Sequence, residues 1–120
     1  MDSPLEADDF VIAEWTAAGG DPRPQAPLHV HHEDDEAWYV LDGKLAFRLG
    51  DETVEAAAGE AVCAGRGVPH TFWNPGADPA RYLLVMTPRI DALIKAIHAS
   101  DDRSPETMRA LFETHASELL

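Results

Sequence analysis

Residues 28–43 read LHVHHEDDEAWYVLDG, and the spacing of their ring and acidic side chains decides how the rest of the chain is read. In an extended strand alternate side chains share a face. His29 and His31 therefore point the same way, roughly 7 Å apart, and His32 points the other way. Glu36 opens a second run, Glu36 to Leu41, rich in aromatic and β-branched residues. The loop 32–35 lets the chain reverse so that Glu36 faces the two histidines. Asp42-Gly43 closes the run with a dipeptide suited to a tight hairpin turn. Two imidazoles and a carboxylate then converge. This borderline donor set suits one divalent transition metal ion (Fe, Ni, Mn, Cu, Co or Zn), with open positions for water or substrate. A lone histidine in an acidic loop is ordinarily a surface residue, but three donors at this spacing, followed by a glycine turn, outweigh that reading.

A second stretch answers the first. Gly59, Gly65 and Gly67 punctuate the approach to His70, Pro69 fixes the chain just before it, and Asn74 follows four residues later. On a strand His70, Phe72 and Asn74 share one face. Together the two stretches resemble the paired motifs of the cupin superfamily, over roughly Phe10 to Thr87, in the manner of small quercetin dioxygenase-like conserved barrels. The resemblance implies an all-β fold, the double-stranded β-helix or cupin jelly-roll barrel, with a metal inside held by His29, His31, Glu36 and His70. Two positions depart from the family pattern. The glycine six residues before the first histidine is Arg23 here, and the proline of the second motif is Gly65. Neither is a ligand, and both bear on loop geometry and access to the site.

The chain has 120 residues, 45% of them hydrophobic, enough for one domain with its own core. Its net charge of −13 argues against nucleic acid and anionic membrane surfaces, both of which demand a basic footprint. Cys63 is the single cysteine, so no internal disulfide forms. The acidic start lacks the features of a signal peptide, and no run reaches the length of a membrane span, so a cytoplasmic protein is expected.

Read in order, residues 1–8 look like a frayed acidic leader and Phe10–Trp15 like a first strand. The proline-rich stretch 17–27 is a loop that cannot enter a sheet interior. Short strands follow at Leu28–His32, Glu36–Leu41, Lys44–Leu49, Glu52–Ala56, Ala61–Ala64, His70–Trp73 and Ala80–Met86, a spacing that fits a sandwich, barrel or jelly roll. Then the period changes. Ile90, Leu93, Ile94 and Ile97 recur at helical spacing, and Ser104-Pro105 reads as an N-cap with proline at the first helical position. Two C-terminal helices are expected at about 89–99 and 105–117, on the outside of a barrel spanning about 10–87 or across a dimer partner, with the whole chain, 1–120, forming one domain. A homodimer is expected, with Phe10–Trp15 offered to a partner's sheet edge.

Trp38 and Val40 share a face with Glu36, and Phe72 shares one with His70, so these three should wall a substrate pocket. His32, out of phase, should be exposed or stand behind the ligands. His98 and His115 should be structural or surface residues, Asp34 and Asp35 solvated loop charges, Asn74 a turn former, and Arg48 and Arg66 solvent-facing. Fold does not settle function. The resemblance and the apolar walls favour a metal-dependent enzyme, a dioxygenase, oxygenase or cyclase acting on a small aromatic or polyketide-like molecule. Glu36 would ligate the metal or swing off it as a general base with a raised pKa. The alternatives are a non-catalytic cupin that binds or senses a small molecule, and a sugar isomerase or epimerase.

Overall fold

The structure, a computed structural model, describes residues 2–120. Among these the strands are β1 (Asp2–Glu6), β2 (Val11–Ala17), β3 (His29–His31), β4 (Glu36–Asp42), β5 (Lys44–Leu49), β6 (Glu52–Ala57), β7 (Ala61–Ala64), β8 (His70–Trp73), β9 (Ala80–Met86) and β10 (Ser117–Leu119). Helices α1 (Pro88–Ala99) and α2 (Pro105–Thr114) lie between β9 and β10. The strands form two five-stranded antiparallel sheets, ordered β1-β2-β9-β4-β7 and β10-β3-β8-β5-β6. Only β1–β2 and β5–β6 are neighbours both in sequence and in a sheet, so most connections carry the chain from one sheet to the other. This is the double-stranded β-helix.

The alternation that marks each strand decides which face is inside. In β4 Glu36, Trp38 and Val40 are buried while Tyr39 is exposed. In β9 Ala80, Tyr82, Leu84 and Met86 are buried in alternate positions. Their inward faces meet Leu45, Phe47 and Phe72 of the opposite sheet in one core. Trp38, Phe47 and Phe72 lie with ring centroids 5.1–5.8 Å apart, and Tyr82 meets Phe72 edge-on at 5.6 Å. Burying four such rings supplies several kcal/mol, on the order of 2 kcal/mol or more for each.

Several expectations are corrected. Asp42-Gly43 is not a hairpin turn, because β4 and β5 belong to different sheets. It is a corner, and glycine is required there twice over. Its φ of 79° lies in the left-handed region, and a Cβ would stand 2.9 Å from the Pro79 carbonyl oxygen. The tight hairpin is instead β5–β6, where Leu49 faces Glu52 and Gly50 takes φ 59° at the first turn position. The loop 32–35 likewise joins two sheets. Glu36 thus faces the histidines across the barrel rather than from a neighbouring strand. Of the expected leader, Met1 lies outside the described residues, and Asp2–Glu6 is ordered as β1, paired with β2. That pairing, with β9 on the other side, leaves β2 without the free edge offered to a dimer partner.

The helices start where their caps predict. Thr87 and Ser104 each accept the backbone N–H three residues on, at 3.2 Å, with proline at the first helical position of each. The second helix stops at Thr114 instead of 117. Ala116 then turns the chain at φ 54°, and residues 117–119 return as β10 against β3. The helices do not lie along the outside of the barrel. They sit over its open mouth, with Ile90, Leu93 and Phe112 buried. Among the described residues no helix is long and apolar enough to cross a membrane.

Candidate metal centre

Three strands from two sheets build the centre. His29 and His31 stand on β3 and His70 on β8, where His29 and His70 are direct cross-strand partners. Glu36 reaches in from β4 of the other sheet. All four side chains are buried, and one donor atom from each lies within 4.8 Å of the others.

Hydrogen bonds behind the rings settle which nitrogen each presents. His29 Nδ1 lies 2.6 Å from the Pro27 carbonyl and His70 Nδ1 lies 3.0 Å from the Val68 carbonyl. A carbonyl only accepts, so both Nδ1 atoms carry the proton. His31 Nδ1 lies 2.6 Å from Ser117 Oγ, whose own hydrogen is directed at the His115 carbonyl, 3.0 Å away. The His31 Nδ1 is therefore a donor as well. Every ring is left with its Nε2 lone pair facing the centre. Glu36 Oε1 stands 2.9 Å from His70 Nε2 and 3.5 Å from His31 Nε2. Lone pairs of imidazole and carboxylate attract at such distances only through a shared cation, a proton on the ring or a metal ion. Three nitrogens and one oxygen, each aimed by a second hydrogen bond or by its strand, fit a divalent transition metal.

Electrostatics agree. Burial pushes the Glu36 carboxyl up, but in the metal-free site a proton shared with the His31 and His70 Nε2 atoms outweighs it, through hydrogen bonding and charge, and brings the pKa down to about 2. In the metal-free site Glu36 is thus held as a carboxylate, ready to ligate. Burial drives His29 down to about 4, with the neighbouring His70 and His31 adding to it, so this ring is neutral, as a ligand must be.

The centre lies at the floor of a cavity of about 470 Å³. Trp38 and Phe72 line it together with Trp15, and the C-terminal helices supply Leu93, Ile97 and Phe112. Val40, expected among the walls, is fully buried in the core and does not line the cavity, because it stands four residues along β4 from Glu36, past Trp38. His32 is exposed and pairs with Glu118 at 3.2 Å. Asn74 is buried, its amide tying the Ala17, Ala18 and Asp78 carbonyls together, a structural role. Asp35 pairs with Arg66 at the surface. Asp34, expected in solvent, is buried beneath Arg89 of α1, which also bonds Glu33 at 2.9 Å and so fastens the ligand loop to the helix. His98 packs edge-on against Trp15 at 5.7 Å and lines the cavity, as does Arg103. Arg23, Arg66, Arg81 and Arg89 each face a carboxylate, whereas Arg103 has no such partner among the described residues. The sequence carried no signal for these two residues beyond their place near a helix end.

A double-stranded β-helix with three histidines and a glutamate converging inside defines the class. The chain belongs to the cupin domain family, whose Cupin_2 profile matches residues 20–86. It is 33% identical over 60 residues to the tetracenomycin polyketide synthase protein TcmJ of Streptomyces glaucescens, covering 50% of this chain and 40% of that one. The chain spans about half the length of the curated relatives it matches. Among solved structures it is similar to TT1209 of Thermus thermophilus, with TM-score 0.62 and 30% identity over 70% of this chain and 77% of that one. It is also similar to the polyketide cyclase RemF of Streptomyces resistomycificus, with TM-score 0.57 and 34% identity over 68% of this chain and 56% of that one.

Proposed function

We propose that this cupin is a metal-dependent enzyme acting on a small aromatic or polyketide-like molecule. The observation that carries the reading is the four-donor centre at the floor of an apolar, aromatic cavity. His29, His31, His70 and Glu36 would hold the ion. Bound there, a divalent metal supplies Lewis-acid activation of a substrate oxygen, or oxygen chemistry if it is redox-active. Similarity to the polyketide cyclase RemF favours cyclase chemistry over dioxygenase chemistry, and similarity to the polyketide synthase protein TcmJ supports a polyketide-like substrate.

The chain's own residues do the rest. Trp15, Trp38 and Phe72 offer aromatic surface to a planar substrate and keep water from the centre. The helices complete the enclosure, and a cavity of about 470 Å³ is of the size that takes a two- or three-ring molecule. Arg103, facing no carboxylate at the cavity wall, suits a substrate that carries an acidic group at the end away from the metal. Glu36 supplies the carboxylate of the four-donor cluster among the described residues, and its Oε1, 2.9 Å from His70 Nε2, is the atom that would take up or pass a proton during enolisation if it left the ion.

The test is turnover. Protein loaded with Fe, Ni, Co or Zn is given a synthetic aromatic poly-β-ketone with and without oxygen. Metal-dependent cyclisation in nitrogen supports the cyclase reading. Oxygen uptake with a flavonol or catechol moves the assignment to a dioxygenase. Tight binding of the ligand without turnover by any metal form overturns the enzyme reading in favour of a binding protein.

A further inference from the structure

Ser117 stands 86 positions from His31 in sequence, yet its Oγ is 2.6 Å from His31 Nδ1, and both residues are buried. The serine hydrogen is spent on the His115 carbonyl at 3.0 Å, so the hydroxyl oxygen can only accept from the ring. That arrangement holds His31 in the tautomer that frees Nε2 for a metal. We propose that Ser117 is a positioning residue of the metal centre, and that docking of the terminal strand β10 is thermodynamically coupled to metal binding. The proposal rests on the reading of the four donors as a metal site.

Three independent features place the serine there. β10 pairs with β3 in a register that sets Ser117 opposite His31 and Leu119 opposite His29. Two further bonds pin the segment at its ends, from the His32 N–H to the Ala116 carbonyl at 2.9 Å and from the Leu120 N–H to the Leu28 carbonyl at 3.0 Å. Ala116 takes φ 54°, a conformation unfavourable for a residue with a Cβ, and it is the residue that turns the chain from α2 into β10. Phe112, one turn earlier, sets its ring edge-on to His29 at 5.5 Å. The terminal segment thus touches both ligands of β3, although it lies beyond residues 20–86, where the family match ends. Coupling is reciprocal: if the docked segment tightens the metal, the metal must tighten the segment by the same factor.

The experiment uses the full chain and Co²⁺ alone. Its dissociation constant is measured by competition with a chromophoric chelator, and amide hydrogen exchange of residues 117–120 and His32 is followed with and without the ion. Ser117→Ala is expected to weaken Co²⁺ binding about 10- to 100-fold. Ser117→Thr, which keeps the hydroxyl, should restore it. Glu118→Ala, which alters the same strand on its exposed side, should leave it unchanged. In the wild type Co²⁺ should slow exchange across β10, and in Ser117→Ala that slowing should shrink by the factor lost in affinity. If wild type takes up no Co²⁺, the metal reading itself falls and the proposal with it. If wild type binds and Ser117→Ala binds equally well, only the proposal is overturned. It is overturned as well if Glu118→Ala weakens binding as much as Ser117→Ala, which would mark the strand as a structural support and nothing more.

Discussion

His29 makes the metal-free protein acid-sensitive in a pH window distinct from that of Glu36. Burial holds its pKa at about 4, against 6.5 for the free ring. A histidine depressed in this way stays neutral in the folded chain while the unfolded chain takes up a proton. Its contribution is fully present above pH 6.5 and is lost as the pH falls from 6.5 toward 4. The gap is worth about 3 kcal/mol at roughly 1.4 kcal/mol per pH unit, and between about 2 and 3 kcal/mol of it is already gone at pH 4.5. The assay is urea unfolding of chelator-treated protein at pH 7.5 and 4.5, for the wild type and for His29→Gln. The glutamine variant keeps a polar side chain that does not titrate and retains His31, His70 and Glu36. Wild type should lose about 2–3 kcal/mol more than the variant across that window. Glu36 contributes outside it: with its pKa depressed to about 2, its share is present above 4.5 and disappears only as the pH drops from 4.5 toward 2. Equal losses in wild type and variant would show that His29 is not held neutral by burial, and the account of the ring as an enclosed, preformed ligand would fail with it.

Three further outcomes test the site and the fold. His70→Ala removes one of four donors and leaves Glu36 without its 2.9 Å partner, so near-stoichiometric metal in wild type measured by elemental analysis should fall to a trace in the variant. Gly43→Ala forces a Cβ toward the Pro79 carbonyl at φ 79°, and should cost about 1–3 kcal/mol in urea unfolding without changing the metal stoichiometry. Arg103→Ala should weaken binding of a naphthoic acid by about tenfold at low salt while sparing the corresponding neutral amide, measured by calorimetry; an equal loss for both ligands would mean that Arg103 contributes packing and not charge.

The candidate donors were legible in part because strand geometry is local, and His70 joined them through the resemblance to cupins. His29 and His31 fall on one face by counting alone, and the four donors do meet within 4.8 Å. What counting does not contain is which sheet a strand joins. The Asp42-Gly43 dipeptide has the composition of a hairpin turn, and the same φ > 0 requirement serves a corner between sheets, so residue type cannot separate the two. The terminal strand was hidden for a related reason. Residues 115–117 read on as the end of a helix expected to reach about 117, whereas pairing with β3 makes 117–119 extended. Propensity over three residues is a weak signal beside a ladder of long-range hydrogen bonds. Asp34 shows the same limit for charge: an aspartate in the run EDDE is a solvated residue until a helix from more than fifty positions away lays an arginine over it. The corner at Gly43, the strand β10 and the burial of Asp34 thus owe their state to a change of sheet or to the C-terminal segment, while β1 owes its order to pairing with β2. The C-terminal segment lines the cavity and lies beyond residues 20–86 of the family match, and its contribution to the site is one that local pattern could not disclose, because only the folded structure brings Leu93, Ile97 and Phe112 to the cavity and Ser117 to His31.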